Sequence, residues 1–157
     1  MGITRSGFME WVRKLFGATV GLDTSPLIYF VELHPKYLSL VDPFFEAAER
    51  GQIRVIPSAL TLTEVLVHPV KHGNQNLANL YSRILLNSSQ LTTLPVSPEI
   101  AKEAAHIRAA YGSSTPDSIQ LATARVCNAT AFLTNDFDLP TIPGLEVIFL
   151  DSLLPSP

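Results

Sequence analysis

Four carboxylates of this chain stand where they could hold a metal ion or accept a proton: Asp23, Glu64, Asp117 and Asp136. Asp23 and Asp136 each follow a short apolar run that is typical of a buried strand. In an open parallel α/β sheet, the ligand crevice lies at the carboxyl ends of the strands. Carboxylates that met in this crevice would repel one another unless a cation compensated them, and oxygen ligands favour Mg²⁺ or Mn²⁺. The set therefore indicates a divalent-metal site.

Each of these residues also has a structural explanation when it is taken alone. Asp117 follows Thr-Pro and Glu99 follows Ser-Pro, so both would stabilise the start of a helix by about 0.3–1 kcal/mol. Capping treats Asp117 and Glu99 alike and cannot make either one catalytic. Asp23 and Asp136 suit ordinary turns, and Glu64 suits a helix surface. The chemical interpretation depends on the four positions together.

The elements that must position these carboxylates alternate along the chain. Apolar runs and helical spacing predict strands over residues 18–22, 53–56, 91–96, 129–133 and 147–150, and helices over residues 36–50, 58–67, 74–86, 98–111 and 116–128. Hydroxyl–proline pairs predict helix N-caps at Ser25, Ser97 and Thr115, with Pro57-Ser58 as a variant. Strand–helix–strand repetition implies a mostly parallel sheet that is covered by helices on both faces.

Composition limits the classes of protein that fit. The 157 residues suit one core, and the net charge of -3 lacks the basic footprint of bulk nucleic-acid binding. Only 16% of the residues are charged, which favours self-association. The lone Cys127 excludes an internal disulfide framework and fits a reducing compartment. No apolar run is long enough to span a membrane.

The N-terminal segment differs from the rest of the chain. Residues 8–16 place apolar side chains at helical spacing with charges between them, which predicts an amphipathic helix rather than a signal peptide. We expect it to pack on its own domain or on a second subunit. The predicted organisation is therefore an extension over residues 1–17 and a main domain over residues 18–157.

Four segments in this order resemble the motifs of the PIN-domain ribonucleases, a family that includes the VapC toxins of toxin–antitoxin pairs. The segments are Leu22-Asp23-Thr24-Ser25-Pro26-Leu27-Ile28, Thr63-Glu64-Val65-Leu66, Pro116-Asp117-Ser118-Ile119-Gln120-Leu121-Ala122-Thr123-Ala124 and Thr134-Asn135-Asp136-Phe137-Asp138-Leu139. The resemblance covers about residues 18–150.

The resemblance implies an α/β fold, a three-layer α/β/α sandwich with a mostly parallel central sheet. It implies a cytoplasmic enzyme that hydrolyses RNA phosphodiester bonds with Mg²⁺ or Mn²⁺, and a cognate antitoxin and a second copy of the chain as partners. Carried over by residue, the metal ligands are Asp23, Glu64, Asp117 and Asp136, with Asp138 as an ambiguous further candidate and with Thr24 and Thr134 orienting water or ligand. Glu99 has no counterpart in the motifs.

Other interpretations stay open at this point. A PIN-like domain could act in RNA maturation or decay, or could bind RNA or protein without cleaving. A zinc site at His68 and His72 is disfavoured because Pro69 lies between them and because no Glu-x-x-His pattern is near them. A phosphatase with a second aspartate two residues after Asp23 is disfavoured because Ser25 stands there. A solvated-surface role is favoured for any single basic residue, and the candidate phosphate contacts are Arg54, Lys71, Arg83, Lys102, Arg108 and Arg125.

Overall fold

A computed structural model of the chain describes residues 5–155, and their side chains from residue 9 onward. The elements of this part are α1 (Arg5–Arg13), β1 (Thr19–Leu22), α2 (Thr24–Val31), α3 (Leu38–Glu49), β2 (Arg54–Pro57), α4 (Leu60–Lys71), α5 (Gln75–Asn87), α6 (Pro98–Tyr111), α7 (Thr115–Val126), β3 (Ala131–Thr134) and β4 (Glu146–Phe149). A short 3-10 helix, Leu150–Leu153, follows β4.

The four strands form one parallel sheet in the order β2-β1-β3-β4. Leu22, the last residue of β1, pairs with Pro57 of β2 and with Leu133 of β3, so the carboxyl ends of the three strands meet at one edge. We call this edge, with the helix starts that follow it, the carboxyl edge. The predicted fold class is confirmed.

Helices cover both faces of the sheet because residues along each strand alternate between two cores. Val20 and Leu22 pack into a core with α1 to α5, whereas Phe132 packs into a second core with α6 and α7. Gly21 faces α7, where a Cβ atom would lie 2.7 Å from the Cβ of Ala124. The missing side chain of Gly21 therefore lets α7 approach the sheet closely.

The strand predicted over residues 91–96 is wrong. This segment makes two isolated parallel bridges with the β2 side, Val55 to Leu91 and Ser58 to Leu94. A parallel ladder would need the N–H of residue 57 to donate between these bridges, and Pro57 has no N–H. The segment therefore runs beside the sheet edge without becoming a strand.

The helix predicted over residues 8–16 begins earlier and ends at Arg13. The indole of Trp11 stacks on the ring of Phe44 at a centroid distance of 5.6 Å, and Val12 and Leu15 are buried in the core that contains β1. The boundary predicted at residue 17 stays a prediction. Among residues 5–155, no helix is both long and apolar enough to cross a lipid bilayer.

Candidate functional site

Asp23 stands at the carboxyl end of the central strand β1. Its backbone N–H donates to the Leu133 carbonyl at 3.0 Å, and its side chain caps α2 by accepting from the Thr24 N–H at 2.7 Å. Its second oxygen, Oδ2, accepts from the Thr134 hydroxyl at 2.7 Å. The N-cap predicted at Ser25 is wrong, because α2 begins at Thr24. One carboxylate oxygen of Asp23 is thus fixed by the start of α2 and the other by the end of β3.

Glu64 reaches the carboxyl edge from the second turn of α4. Its Oε1 accepts from the Thr24 hydroxyl at 3.1 Å and from the Gln120 amide nitrogen at 2.6 Å. The residue is exposed, yet one oxygen of its carboxylate is held by two donors. Thr24 thus joins the glutamate of α4 to the aspartate of β1.

Asp117 lies in the first turn of α7. Its N–H donates to the hydroxyl of Ser114, the N-cap of this helix, at 3.2 Å. The N-cap predicted at Thr115 is off by one residue, and the Thr115 hydroxyl instead accepts from Arg108 at 2.6 Å. Arg108 is therefore the predicted phosphate contact that stands beside the start of α7.

The segment after β3 carries the last two carboxylates. The Thr134 hydroxyl, which donates to Asp23, also accepts from the Asp136 N–H at 2.9 Å. Asp136 Oδ1 in turn accepts from the Asp138 N–H at 3.0 Å. Asp136 is half-buried and Asp138 is exposed. Thr134 therefore couples the turn that holds Asp136 to the end of β1.

Burial and like charge act together on two of these acids. Burial raises the pKa of Asp23, hydrogen bonds from Thr134 and Thr24 lower it, and the charges of Glu64 and Asp117 raise it again.

Burial likewise raises the pKa of Asp117, the Ser114 hydrogen bond lowers it, and the charges of Asp136 and Asp138 raise it further. The ion pairs found within residues 5–155 are Lys36 with Asp151, Arg50 with Glu46 and Arg125 with Glu103, so no basic side chain of this part pairs with the acids at the carboxyl edge.

The structure thus brings Asp23, Glu64 and Asp136 into one hydrogen-bonded network through Thr24 and Thr134. Asp117 joins this group through its charge rather than through a bond. In the conformation of the described chain, no three His, Cys, Asp or Glu side chains are drawn together tightly enough to hold an ion. The role of each carboxylate stays a prediction.

Sequence reasoning missed one residue of this network. Gln120 lies within the third motif segment and is 5% exposed, and its amide nitrogen contacts both Glu64 and Thr24. A signal was present, because a glutamine among the apolar positions of a buried helix needs a polar partner.

Two of the predicted phosphate contacts lie at the opposite end of the sheet. Arg54 begins β2, and Arg125 lies in the last turn of α7, where it pairs with Glu103 at 3.5 Å. Parallel strands begin at the edge away from the carboxyl edge. Arg54 and Arg125 therefore lie away from the carboxyl edge, and their contact with phosphate stays a prediction.

The rings of His68 and His72, at the C-terminal end of α4, lie close together. Pro69 lies inside α4 without ending it, and the rings of His68 and His72 stand 4.3 Å apart between centroids. The proline was therefore the wrong reason to disfavour a zinc site. No third ligand joins the pair within the described residues.

The chain is thus a parallel α/β/α sandwich with carboxylates at the carboxyl edge of its sheet. Comparison with family profiles matches residues 20–145 to the PIN domain, so this chain belongs to the PIN domain family. The family predicted from the four motif segments is confirmed.

Three solved structures are similar to the chain, and each match covers most of this chain and most of the matched chain. VapBC2 from Rickettsia felis, bound to a promoter DNA fragment, is 18% identical over 83% of this chain and 98% of that chain, with a TM-score of 0.63. The toxin–antitoxin complex from Klebsiella pneumoniae is 24% identical over 82% and 95%, with a TM-score of 0.59. DNA-bound VapBC from Salmonella typhimurium is 21% identical over 85% and 98%, with a TM-score of 0.63. At these identities the likeness shows the fold. No curated protein matches the sequence.

Proposed function

We propose that this chain is a ribonuclease that hydrolyses RNA phosphodiester bonds with a divalent metal ion, and that it is the toxin of a toxin–antitoxin pair. One observation carries the proposal. The Asp23 carboxylate, fixed at the end of the central strand, is bonded to Thr134 and is acted on by the charges of Glu64 and Asp117. Segments of β1, α4, α7 and β3 that lie far apart in sequence therefore converge on one carboxylate.

The donor chemistry of this group fits Mg²⁺ or Mn²⁺. Its candidate ligands are the carboxylates of Asp23, Glu64, Asp117 and Asp136, all hard oxygen donors, with Asp138 as a further candidate. A cation would offset the like charges that now raise the pKa values of Asp23 and Asp117. Because the carboxylates are not drawn together in this conformation, they would have to move closer to one another to bind an ion.

A bound ion of this kind lowers the pKa of a water molecule and offsets charge on the leaving oxygen. The chain supplies the positioning. Thr24 and Thr134 hold one oxygen each of Glu64 and Asp23, and a carboxylate of the group accepts the proton that the attacking water loses. We also propose Arg108, whose guanidinium donates to the Thr115 hydroxyl at the start of α7, as a contact to phosphate.

The toxin role is supported by the fold and by the solved complexes that share it. The similar structures from Rickettsia felis and Klebsiella pneumoniae are, respectively, a VapBC2 assembly and a toxin–antitoxin complex. We therefore propose an antitoxin as a protein partner. The low charged fraction of 16% supports a second copy of the chain as another partner.

A matched pair of variants tests the nuclease proposal. Asp117 and Glu99 both lie in the first turn of a helix with a serine N-cap, but only Asp117 belongs to the carboxylate group. Asp117→Asn should lower Mn²⁺-dependent RNA cleavage about 100-fold, whereas Glu99→Gln should retain activity within about twofold. The readout is cleavage of total RNA resolved by sequencing of the new ends. Equal losses in two folded variants would contradict the assignment, and cleavage in neither variant nor wild type would favour a non-catalytic module.

A further inference from the structure

Gln120 is the buried amide that connects three elements of the carboxylate group. It lies one turn after Asp117 on the same face of α7. Its Nε2 donates to Glu64 Oε1 of α4 at 2.6 Å and to the Thr24 hydroxyl of α2 at 3.3 Å. A single side chain thus spans α7, α4 and the start of α2, and these elements carry or adjoin three of the proposed ligands.

The other end of this amide is left without a partner. Gln120 Oε1 is buried and accepts no hydrogen bond from the described residues. An unpaired buried acceptor costs stability, and a hydrophobic residue of the same shape would avoid that cost. Turning the amide over would set Oε1 against the Glu64 carboxylate and would leave two N–H donors unpaired. The chemistry of Glu64 therefore fixes the amide, and core filling alone does not explain a glutamine here.

The donors to Glu64 are distributed unequally between its two oxygens. Thr24 and Gln120 both donate to Oε1, and no described residue donates to Oε2. We propose that Gln120 is a positioning residue that holds Glu64 by Oε1 so that Oε2 stays available to a divalent ion shared with Asp23. This inference rests on the proposed function. Groups that orient metal ligands in this way usually affect metal affinity 10–100-fold.

Calorimetric titration of Mn²⁺ into the full chain tests the inference without any RNA substrate. Gln120→Met keeps the volume of the side chain and removes its donors, so it should bind Mn²⁺ about 10–100-fold more weakly than wild type. Thr123→Val is the matched control, because Thr123 is also buried on α7 but donates to the Ile119 carbonyl, away from the carboxylates. This control should bind Mn²⁺ within about twofold of wild type.

Thermal unfolding without metal separates positioning from a purely structural role. A structural role predicts that Gln120→Met lowers the melting temperature and leaves Mn²⁺ affinity unchanged. A positioning role predicts that Gln120→Met weakens Mn²⁺ binding without lowering the melting temperature, because the substitution also removes the unpaired Oε1. Gln120→Asn, which retracts the amide by one methylene group, should also weaken Mn²⁺ binding and serves if the methionine variant does not fold.

The outcomes distinguish this inference from the proposed function. Wild-type Mn²⁺ affinity in folded Gln120→Met, together with binding that is lost in Asp23→Asn, would overturn the role of Gln120 and leave the nuclease proposal standing. No Mn²⁺ binding by wild type would overturn both. Weakened binding in Gln120→Met and Thr123→Val alike would assign the effect to the packing of α7 and would also overturn the positioning role.

Discussion

Gly21 lies beneath α7, and a single added methyl group there should disturb both the fold and the carboxylate group. A Cβ at this position would lie 2.7 Å from Ala124 Cβ and 2.7 Å from Phe132 Cδ2. Ordinary carbon contacts are about 3.5–4.0 Å, so the methyl group is about 1 Å too close to two rigid neighbours. Such overpacking costs about 1–3 kcal/mol. Without a clash, alanine would instead stabilise a strand by about 0.5–1 kcal/mol relative to glycine. The sign of the change in the free energy of unfolding therefore shows whether α7 approaches Gly21 closely.

Urea unfolding followed by circular dichroism measures the effect of Gly21→Ala on the free energy of unfolding. The double variant Gly21→Ala/Ala124→Gly removes one of the two overlaps. It should be at least about 0.5 kcal/mol more stable than the sum of the single variants predicts. A Gly21→Ala protein as stable as wild type, or strictly additive single variants, would refute the close approach of α7. Because α7 carries Asp117, Mn²⁺ affinity should also fall in Gly21→Ala.

Asp23→Asn should stabilise the metal-free protein by about 0.5–2 kcal/mol near neutral pH, because asparagine caps a helix equally well and removes a buried charge from among like charges. A carboxyl whose pKa is raised in the folded protein destabilises the fold as pH rises above 3.8, the ordinary pKa of an aspartate. The advantage of Asp23→Asn should therefore shrink as pH falls towards 3.8. A difference in urea unfolding that stays constant over this pH range would contradict a raised pKa of Asp23. Trp11→Ala should cost about 3–5 kcal/mol, because the indole stacks on Phe44 within the main core. Thermal unfolding with a loss below about 1 kcal/mol would show that α1 is dispensable.

Much of the fold follows from local patterns in the sequence. The Ser97-Pro98 pair caps α6 as predicted, with the serine hydroxyl accepting from the Ile100 N–H at 3.2 Å. Short apolar runs became the four paired strands, and β1, β2 and β3 need no alternation of apolar and polar residues because most of their residues are buried. These features depend on residues a few positions apart, which is the range that sequence patterns report.

The errors came from competition between local signals and from partners distant in sequence. At α2, the predicted cap was Ser25, but the helix begins at Thr24 and the Asp23 carboxylate accepts from the Thr24 N–H, so Asp23 is the cap. The failed strand at residues 91–96 depends on Pro57, which lies more than thirty residues away. Periodicity in one segment cannot report such a partner.

The candidate site was likewise predicted only in part from the sequence. The motif order pointed to the acids, and their convergence follows from parallel strands whose carboxyl ends share an edge. The glutamine among the apolar positions of α7 signalled a polar partner, but the identity of that partner could not be read from the sequence, because Glu64 lies 56 residues away. The sequence pattern also could not show that Arg54 and Arg125 lie away from the carboxyl edge.

Calorimetric titration of Mn²⁺ shows whether the carboxylates around Asp23 bind a divalent ion. The titration compares wild type, Asp23→Asn and Glu99→Gln, which removes the same charge from outside the group. We expect saturable binding in wild type and in Glu99→Gln and its loss in folded Asp23→Asn. Equal binding in Asp23→Asn, or no saturable binding in wild type, would rule out a metal site at Asp23.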